Sequence, residues 1–395
     1  MKSQVNRIEC ANLWKIFGPN PRRIIDDWGR YSKYNKTELM QRTGCVVGVK
    51  DVSFTVSAGE IFVIMGLSGS GKSTLLRCIN RLHEPTRGKV FIDGEDITSL
   101  PKKTLRELRR KKIGMVFQHF ALLPHRKVID NVAYGLEIQG IDKKTRHSMA
   151  LEVLELVGLK GWEHQYPHEL SGGMQQRVGL ARALAPNPEI LLMDEAFSAL
   201  DPLIRRQMQD EFIKLLKVVK KTIVFVTHDL HEALRIATRI AIMKGGSIDQ
   251  IGTPAEIVLH PKTKYVAEFV QDLPRAKFVT AQDIMEPPSK WAVSANQTTE
   301  EIACKMDNEN LWYAYVVDEN RRIRGVIDYR TVVDGNGHLD PNNIMKDFPQ
   351  ERQHTFLEKL IKRAAKTSIP IAVTDENLRL LGVVSRECLL DALIS

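Results

Sequence analysis

No stretch of this 395-residue chain approaches the ~20 consecutive apolar residues that a membrane-spanning helix needs. The opening run, MKSQVNRIEC, has no apolar segment of the kind a secretory signal carries. Cysteine is scarce. The five residues (Cys10, Cys45, Cys78, Cys304, Cys388) are odd in number, scattered and never paired at ligand-like spacing. This excludes a disulfide framework, and reduced thiols in a cytoplasmic protein are expected.

What is present is a chain too long for one ordinary core, so two or three domains are expected. Hydrophobic residues make up 43% and charged residues 27%, the balance of a soluble globular protein. The net charge of +9 is uneven. Residues 1–274 carry 41 Lys+Arg against 30 Asp+Glu, whereas the remainder carries 16 against 18. A basic front part suits nucleic acid, acidic lipid headgroups, a membrane partner or plain solubility, and charge alone does not choose.

The stretch GLSGSGKST, Gly66 to Thr74, follows the apolar run EIFVIM and precedes the helical run LLRCI. It fits G-x-x-x-x-G-K-[ST] in the strand–loop–helix context that gives this motif meaning. Gly66, Leu67, Ser68, Gly69, Ser70 and Gly71 let backbone N–H groups approach phosphate at a helix start. Lys72 is expected to reach the outer phosphates, and Ser73 to offer its hydroxyl to Mg²⁺. A second run, ILLMDEAFSALD, delivers Asp194 and Glu195 at the carboxyl end of a buried-type strand, where open α/β sheets place ligands. Asp194 suits a hydrated Mg²⁺, and Glu195 suits a base that orients or deprotonates water.

A third run, LSGGMQQR, puts Ser171, Gly172 and Gly173 at another helix N-terminus. One molecule cannot easily bring two such cradles onto a single γ-phosphate. Two molecules related by a two-fold axis can, each lending its second cradle to the other's nucleotide.

The order GLSGSGKST, Gln118, LSGG, ILLMDE, SALD and His228 resembles the ATP-binding-cassette ATPases, over residues 8 to about 272. The resemblance implies an α/β fold with a RecA-like core, an antiparallel β subdomain and a helical subdomain carrying LSGG. It implies that Gln118 touches both Mg²⁺ and a membrane partner, and that Asp201 in SALD crosses the dimer. It further implies that His228, 33 residues after Glu195, bonds the γ-phosphate, and that Phe17 stacks on adenine. ATP and Mg²⁺ are the ligands expected, in a homodimer of ATPase subunits.

Two additions narrow the comparison. Residues 19–45, with six basic and three acidic side chains, intervene between Phe17 and the next strand. Ile24, Ile25 and Trp28 have roughly helical spacing, so the segment is either a helix on a partner or a surface excursion. After about Leu273 the chain repeats itself with a period of ~60 residues: Ile284-Met285 aligns with Ile344-Met345, and VVDENRRIRGVI with AVTDENLRLLGVV. This resembles a tandem of CBS modules, with 1–272 as the cassette, 276–335 as repeat 1 and 336–395 as repeat 2.

Cassette, insertion and tail together resemble the ATP-binding subunit of glycine betaine/proline betaine importers. That implies membrane permease subunits, an external binding protein reached through them, and a peripheral place on the cytoplasmic face of the membrane. A relative that carries choline or carnitine remains open, because an ATPase subunit does not touch cargo. A cassette acting on nucleic acid lacks support: there is no second cassette, no long heptad arm and no basic run interleaved with aromatics.

The tail departs from nucleotide-binding CBS modules at the Ser/Thr-x-x-Asp pair that holds ribose. Asp328 and Thr331 stand there in the first repeat, Ser385 and Cys388 in the second. Finally, Lys359, Lys362, Arg363 and Lys366 fall on one helical stripe, with Leu357, Leu360, Ile361 and Ala364 on the other side. The stripe is either a solvated face or a regulatory contact with anionic lipid.

Overall fold

Strand β3 (Ile61–Met65) is nearly all buried, and β7 (Ile190–Asp194) and β8 (Thr222–Thr227) are buried at every position. Strands apolar on both faces belong inside a parallel sheet covered on both sides. The computed structural model, which describes residues 6–118, 120–197, 208–213, 215, 221–271, 273–335, 337 and 339–394, places them so. The sheet runs β10-β9-β3-β8-β7-β6, with β6 (Ile113–Val116), β9 (Arg239–Lys244) and β10 (Ser247–Gly252). All its neighbours are parallel except the β10/β9 hairpin.

A second, antiparallel sheet has the order β2-β1-β4-β5, with β1 (Asn6–Phe17), β2 (Val46–Ser57), β4 (Arg87–Ile92) and β5 (Glu95–Asp96). Between the two sheets lies helix α4 (Lys72–Ile79), whose Leu75, Leu76, Cys78 and Ile79 are fully buried. Phe54 and Phe62 stack at 4.8 Å within the same core. The helices Val128–Val132, Lys143–Leu156 and Gly172–Leu184 pack on one another and form the helical part expected around LSGG.

The insertion is helical. Helices α1 (Pro21–Asp26), α2 (Trp28–Tyr31) and α3 (Lys36–Thr43) cover a small core of their own, made of Trp14, Ile16, Ile24, Ile25, Leu39, Cys45 and Val47. Trp28 meets Trp14 edge to face at 5.1 Å.

The contacts divide the chain into Met1–Pro254 and Ala255–Ser395. In the second unit the duplication appears as two three-stranded sheets. They are β11-β12-β13 (Ala292–Ser294, Tyr313–Val317, Ile323–Asp328) and β14-β15-β16 (Gln350–Arg352, Ile371–Thr374, Leu380–Val384). Each pairs its first two strands parallel and its last two antiparallel. The repeats also exchange edges: Met345 pairs with Val326, and Glu286 with Val383.

Candidate functional site

The phosphate loop leaves the end of β3 and enters α4, as its motif requires. Its glycines are there for room as well as for φ. A Cβ on Gly66 (φ +149°) would lie 2.3 Å from the Met243 carbonyl oxygen, and one on Gly71 (φ +104°) 2.0 Å from that of Gly48. Leu67, Ser68 and Gly69 are exposed at the loop's tip. Ser70 is buried, and its hydroxyl has no hydrogen-bond partner among the described residues. Such an orphan in a loop of N–H groups suits a polar ligand.

Lys72 is buried and donates to the carbonyls of Gly66 (3.0 Å) and Leu67 (3.2 Å). Its Nζ lies 3.8 Å from Glu195 Oε1. Burial pushes its pKa below the ordinary lysine value, and the Glu195 and Asp194 carboxylates partly oppose this. Ser73 donates to Asp194 Oδ1 at 2.6 Å, and Arg77 Nη2 lies 3.2 Å from Asp194 Oδ2. The hydroxyl and the buried carboxylate form the oxygen donor set that a hard, hydrated divalent cation prefers.

Glu195 is the centre of the arrangement. It sits at φ +45°, a conformation unusual for a non-glycine residue, with its N–H held by the Val226 carbonyl at 2.9 Å. Gln118 Nε2, just past the end of β6, lies 3.3 Å from Glu195 Oε2. His228 Nδ1, just past the end of β8, lies 3.3 Å from the same oxygen. The carboxyl ends of β3, β6, β7 and β8 thus bring together Lys72, Gln118, Asp194, Glu195 and His228. Phe17 ends β1 half-exposed, edge to face with His83 at 5.4 Å. A methyl on Gly48 would meet Phe17 Cε2 and Thr74 Cγ2, each at 3.0 Å, so the ring stands at the edge of the phosphate loop.

The second cradle is elsewhere. Ser171 N-caps the helix Gly172–Leu184 and accepts from the Met174 N–H at 3.4 Å. Among the described residues, no hydrogen bond joins Leu170–Gly173 to the Gly66–Thr74 loop. Asp201 lies outside the described residues. The four basic residues expected to act in regulation line a 530 Å³ cavity with Glu351. Lys359 and Arg363 face Glu351 at 2.8 and 3.8 Å, and Lys362 pairs with Glu358 at 2.7 Å. Leu357 and Leu360 are fully buried beneath them, whereas Ile361 and Ala364 are half-buried.

Other residues that shape the site escaped the sequence reading. Buried Glu232 takes the Thr227 hydroxyl and the Gln209 amide (3.0 Å), fixing the turn that presents His228. Arg182, on the helix that Ser171 caps, donates to the carbonyls of Phe120 (2.9 Å) and Ala121 (2.6 Å), tying that helix to the loop after Gln118. Glu232 had a signal, an acid one turn beyond His228; Arg182 had none short of the fold. At the CBS positions that hold ribose elsewhere, Asp328 caps its own helix at Thr331 N (2.8 Å), and Ser385 bonds Cys388 Sγ (3.1 Å).

The ABC transporter family model matches residues 49–198, and the CBS domain model matches 281–336. Over 98% of its length the chain is 49% identical to the glycine betaine transport ATP-binding protein OpuAA of Bacillus subtilis, covering 92% of that protein. It is 45% identical, over 98% of its length, to the glycine betaine/proline betaine transport system ATP-binding protein ProV of Escherichia coli, covering 97% of it. Among solved structures, the dimeric bacterial ABC transporter cassette MJ0796 matches 62% of this chain and 98% of its own. The TM-score is 0.53 and the identity 34%. The chain belongs to the ATP-binding subunits of ABC transporters, in the group that holds the glycine betaine/proline betaine transport ATP-binding proteins, and it is an ATPase.

Proposed function

We propose that two copies of this chain, bound to membrane permease subunits at the cytoplasmic face, hydrolyse MgATP to drive uptake of quaternary-amine osmoprotectants such as glycine betaine and proline betaine. An external binding protein delivers the cargo. The observation that carries this reading is near-full-length similarity to two transport ATP-binding proteins of that cargo class. Residues 1–272 serve as the cassette, and 276–335 and 336–395 as regulatory CBS repeats.

Each residue is given the role that the family resemblance implies, and for the described ones the position suits it. Lys72 and the Gly66–Thr74 amides bind the phosphates, and Phe17 offers its ring to adenine. Ser73, Asp194 and Gln118 hold Mg²⁺, which supplies positive charge against the phosphate oxygens. Glu195 accepts the proton of the attacking water, with its Oε2 oriented by Gln118 and His228. His228 also bonds the γ-phosphate. Ser171, Gly172, Gly173 and Asp201 serve the partner's nucleotide across the dimer.

The test is reconstitution with the cognate permease and binding protein in liposomes. Glycine betaine should stimulate ATP hydrolysis and accumulate inside, and neither should occur with Glu195→Gln. Stimulation by an unrelated solute class, with none by quaternary amines, would overturn the cargo assignment while leaving the ATPase intact.

A further inference from the structure

The insertion does not simply sit on the surface. It begins two residues after Phe17 and ends where β2 begins, and its two ends are tied by Cys45 Sγ donating to the Pro19 carbonyl at 3.0 Å. From there its third helix reaches the phosphate loop. Lys36 Nζ donates to the Gly69 carbonyl, inside the phosphate loop, at 2.7 Å. The segment therefore runs from near the ring expected on adenine to the loop expected on phosphate.

Three observations set this contact apart from a chance surface hydrogen bond. First, Lys36 is fixed from its own side. It opens α3, whose entry is closed by a capping box in which Asn35 Oδ1 accepts from Glu38 N (2.9 Å) and Glu38 Oε2 accepts from Asn35 N (3.0 Å). Leu39, three residues on, is buried in the insertion's own core. Second, a cation in the first turn of a helix opposes the helix dipole. Its position there is offset by the negative end of the Gly69 peptide. Third, the bond joins a set. Lys72 takes the Gly66 and Leu67 carbonyls, the Gly246 N–H takes that of Ser70 (2.9 Å), and Lys36 takes that of Gly69. Carbonyls held in this way keep the loop in one conformation before nucleotide arrives, which lowers the ordering cost of binding. The ammonium also adds positive charge beside a site that takes a polyphosphate.

We propose that the insertion reaches the nucleotide site through Lys36 alone, and that Lys36 is a positioning residue that holds the phosphate loop ready for ATP. The proposal does not rest on the identity of the cargo.

The experiment uses the full-length chain and follows both MgATP binding, by a fluorescent nucleotide analogue, and steady-state hydrolysis. Lys36→Ala should raise Kd and KM roughly three- to tenfold, the loss of one solvent-exposed hydrogen bond, with kcat within about twofold. Lys36→Arg should recover most of the affinity. Lys33→Ala removes the same charge from the same segment, at a residue whose ammonium lies over the Tyr34 ring instead; it should leave Kd unchanged. The proposal fails if Lys36→Ala binds MgATP within twofold of the parent. It also fails if Lys33→Ala weakens binding equally, which would make the effect one of net charge. A lowered Tm with unchanged Kd and KM would reduce Lys36 to a structural role and overturn it too.

Discussion

Glu195 carries a cost that its neighbours must offset. A non-glycine residue at φ +45° is disfavoured by about 1–2 kcal/mol. It persists because β7 is buried at every position and the Val226 carbonyl fixes the Glu195 N–H. The reward is a carboxylate reached at once by Lys72, Gln118 and His228. Glu195→Gln keeps the shape and removes the charge that takes a proton. Turnover should fall by roughly 10²–10⁴ while MgATP affinity stays within about threefold, as single-turnover kinetics beside equilibrium binding would show. Near-normal turnover would remove Glu195 from its role. The acid pair was legible in the sequence, because four apolar residues precede it. That Gln118 and His228 converge on one oxygen was not: it follows from the strand order β3-β8-β7-β6, which local pattern does not encode. The cysteines give a second test. Burial pushes the Cys78 thiol up to about 12 and raises that of Cys10 as well. Iodoacetamide at pH 8 should therefore label exposed Cys304 first and leave Cys10, Cys45 and Cys78 intact until the chain unfolds. Since the unfolded thiols ionise near 9 and the folded ones do not, the stability they confer is complete below pH 9 and declines above it. Rapid labelling of Cys78 in the native protein would contradict its burial on α4, in the core between the two sheets.

At the scale of elements, the CBS repeats show what a self-alignment contains and what it leaves out. The sequence pairs Gly325 with Gly382 and Met285 with Met345. It does not reveal that each repeat passes its chain against the other's last strand. A Cβ on Gly325 would lie 2.3 Å from Ile344 Cγ2 and 2.6 Å from the Met345 carbonyl oxygen. A Cβ on Gly382 would lie 2.7 Å from the Glu286 carbonyl oxygen. The two glycines are equivalent sites at which the partner repeat's backbone needs the space of a side chain. Gly325→Val or Gly382→Val should each destabilise the CBS pair by about 1–3 kcal/mol, read as a lower midpoint for the second unit in calorimetry. If both variants melt like the parent, the edge exchange is wrong. The insertion was half legible in the same way. Its helical spacing was visible at Ile24, Ile25 and Trp28, but its contact with Gly69 depends on where β1 and β2 carry it.

For the whole molecule, charge and symmetry make separate predictions. The stripe of Lys359, Lys362, Arg363 and Lys366 is partly offset by Glu351 and Glu358, leaving a formal +2 rather than +4. At about 1 kcal/mol per net charge near an anionic surface, the attraction is some 2 kcal/mol, and it decays over ~10 Å at 0.1 M salt and ~3 Å at 1 M. If lipid contact restrains the transporter, salt should activate it in anionic liposomes. Changing all four residues to Gln should flatten that response, and an unchanged salt threshold would leave the stripe a solvated face. Symmetry bears on the second cradle. Ser171 caps its own helix, with no hydrogen bond to the phosphate loop of its own chain among the described residues. A closed pair would give each nucleotide one chain's Gly66–Thr74 loop and the other's Ser171–Gly173. Ser171→Arg should then abolish hydrolysis while a single chain still binds ATP, and Lys72→Ala should abolish it by losing phosphate contact. Mixed, the two inactive chains assemble dimers with one site intact in both cradles and the other carrying both lesions. Random pairing puts half of all dimers in that state at equal mixing, so hydrolysis should reappear, peak at the equimolar ratio and vanish toward either pure variant. Recovery requires only that the intact site can turn over beside a dead one. If Ser171→Arg instead destroys nucleotide affinity in the isolated chain, both cradles act within one molecule. The head-to-tail pair would then lose its physical reason.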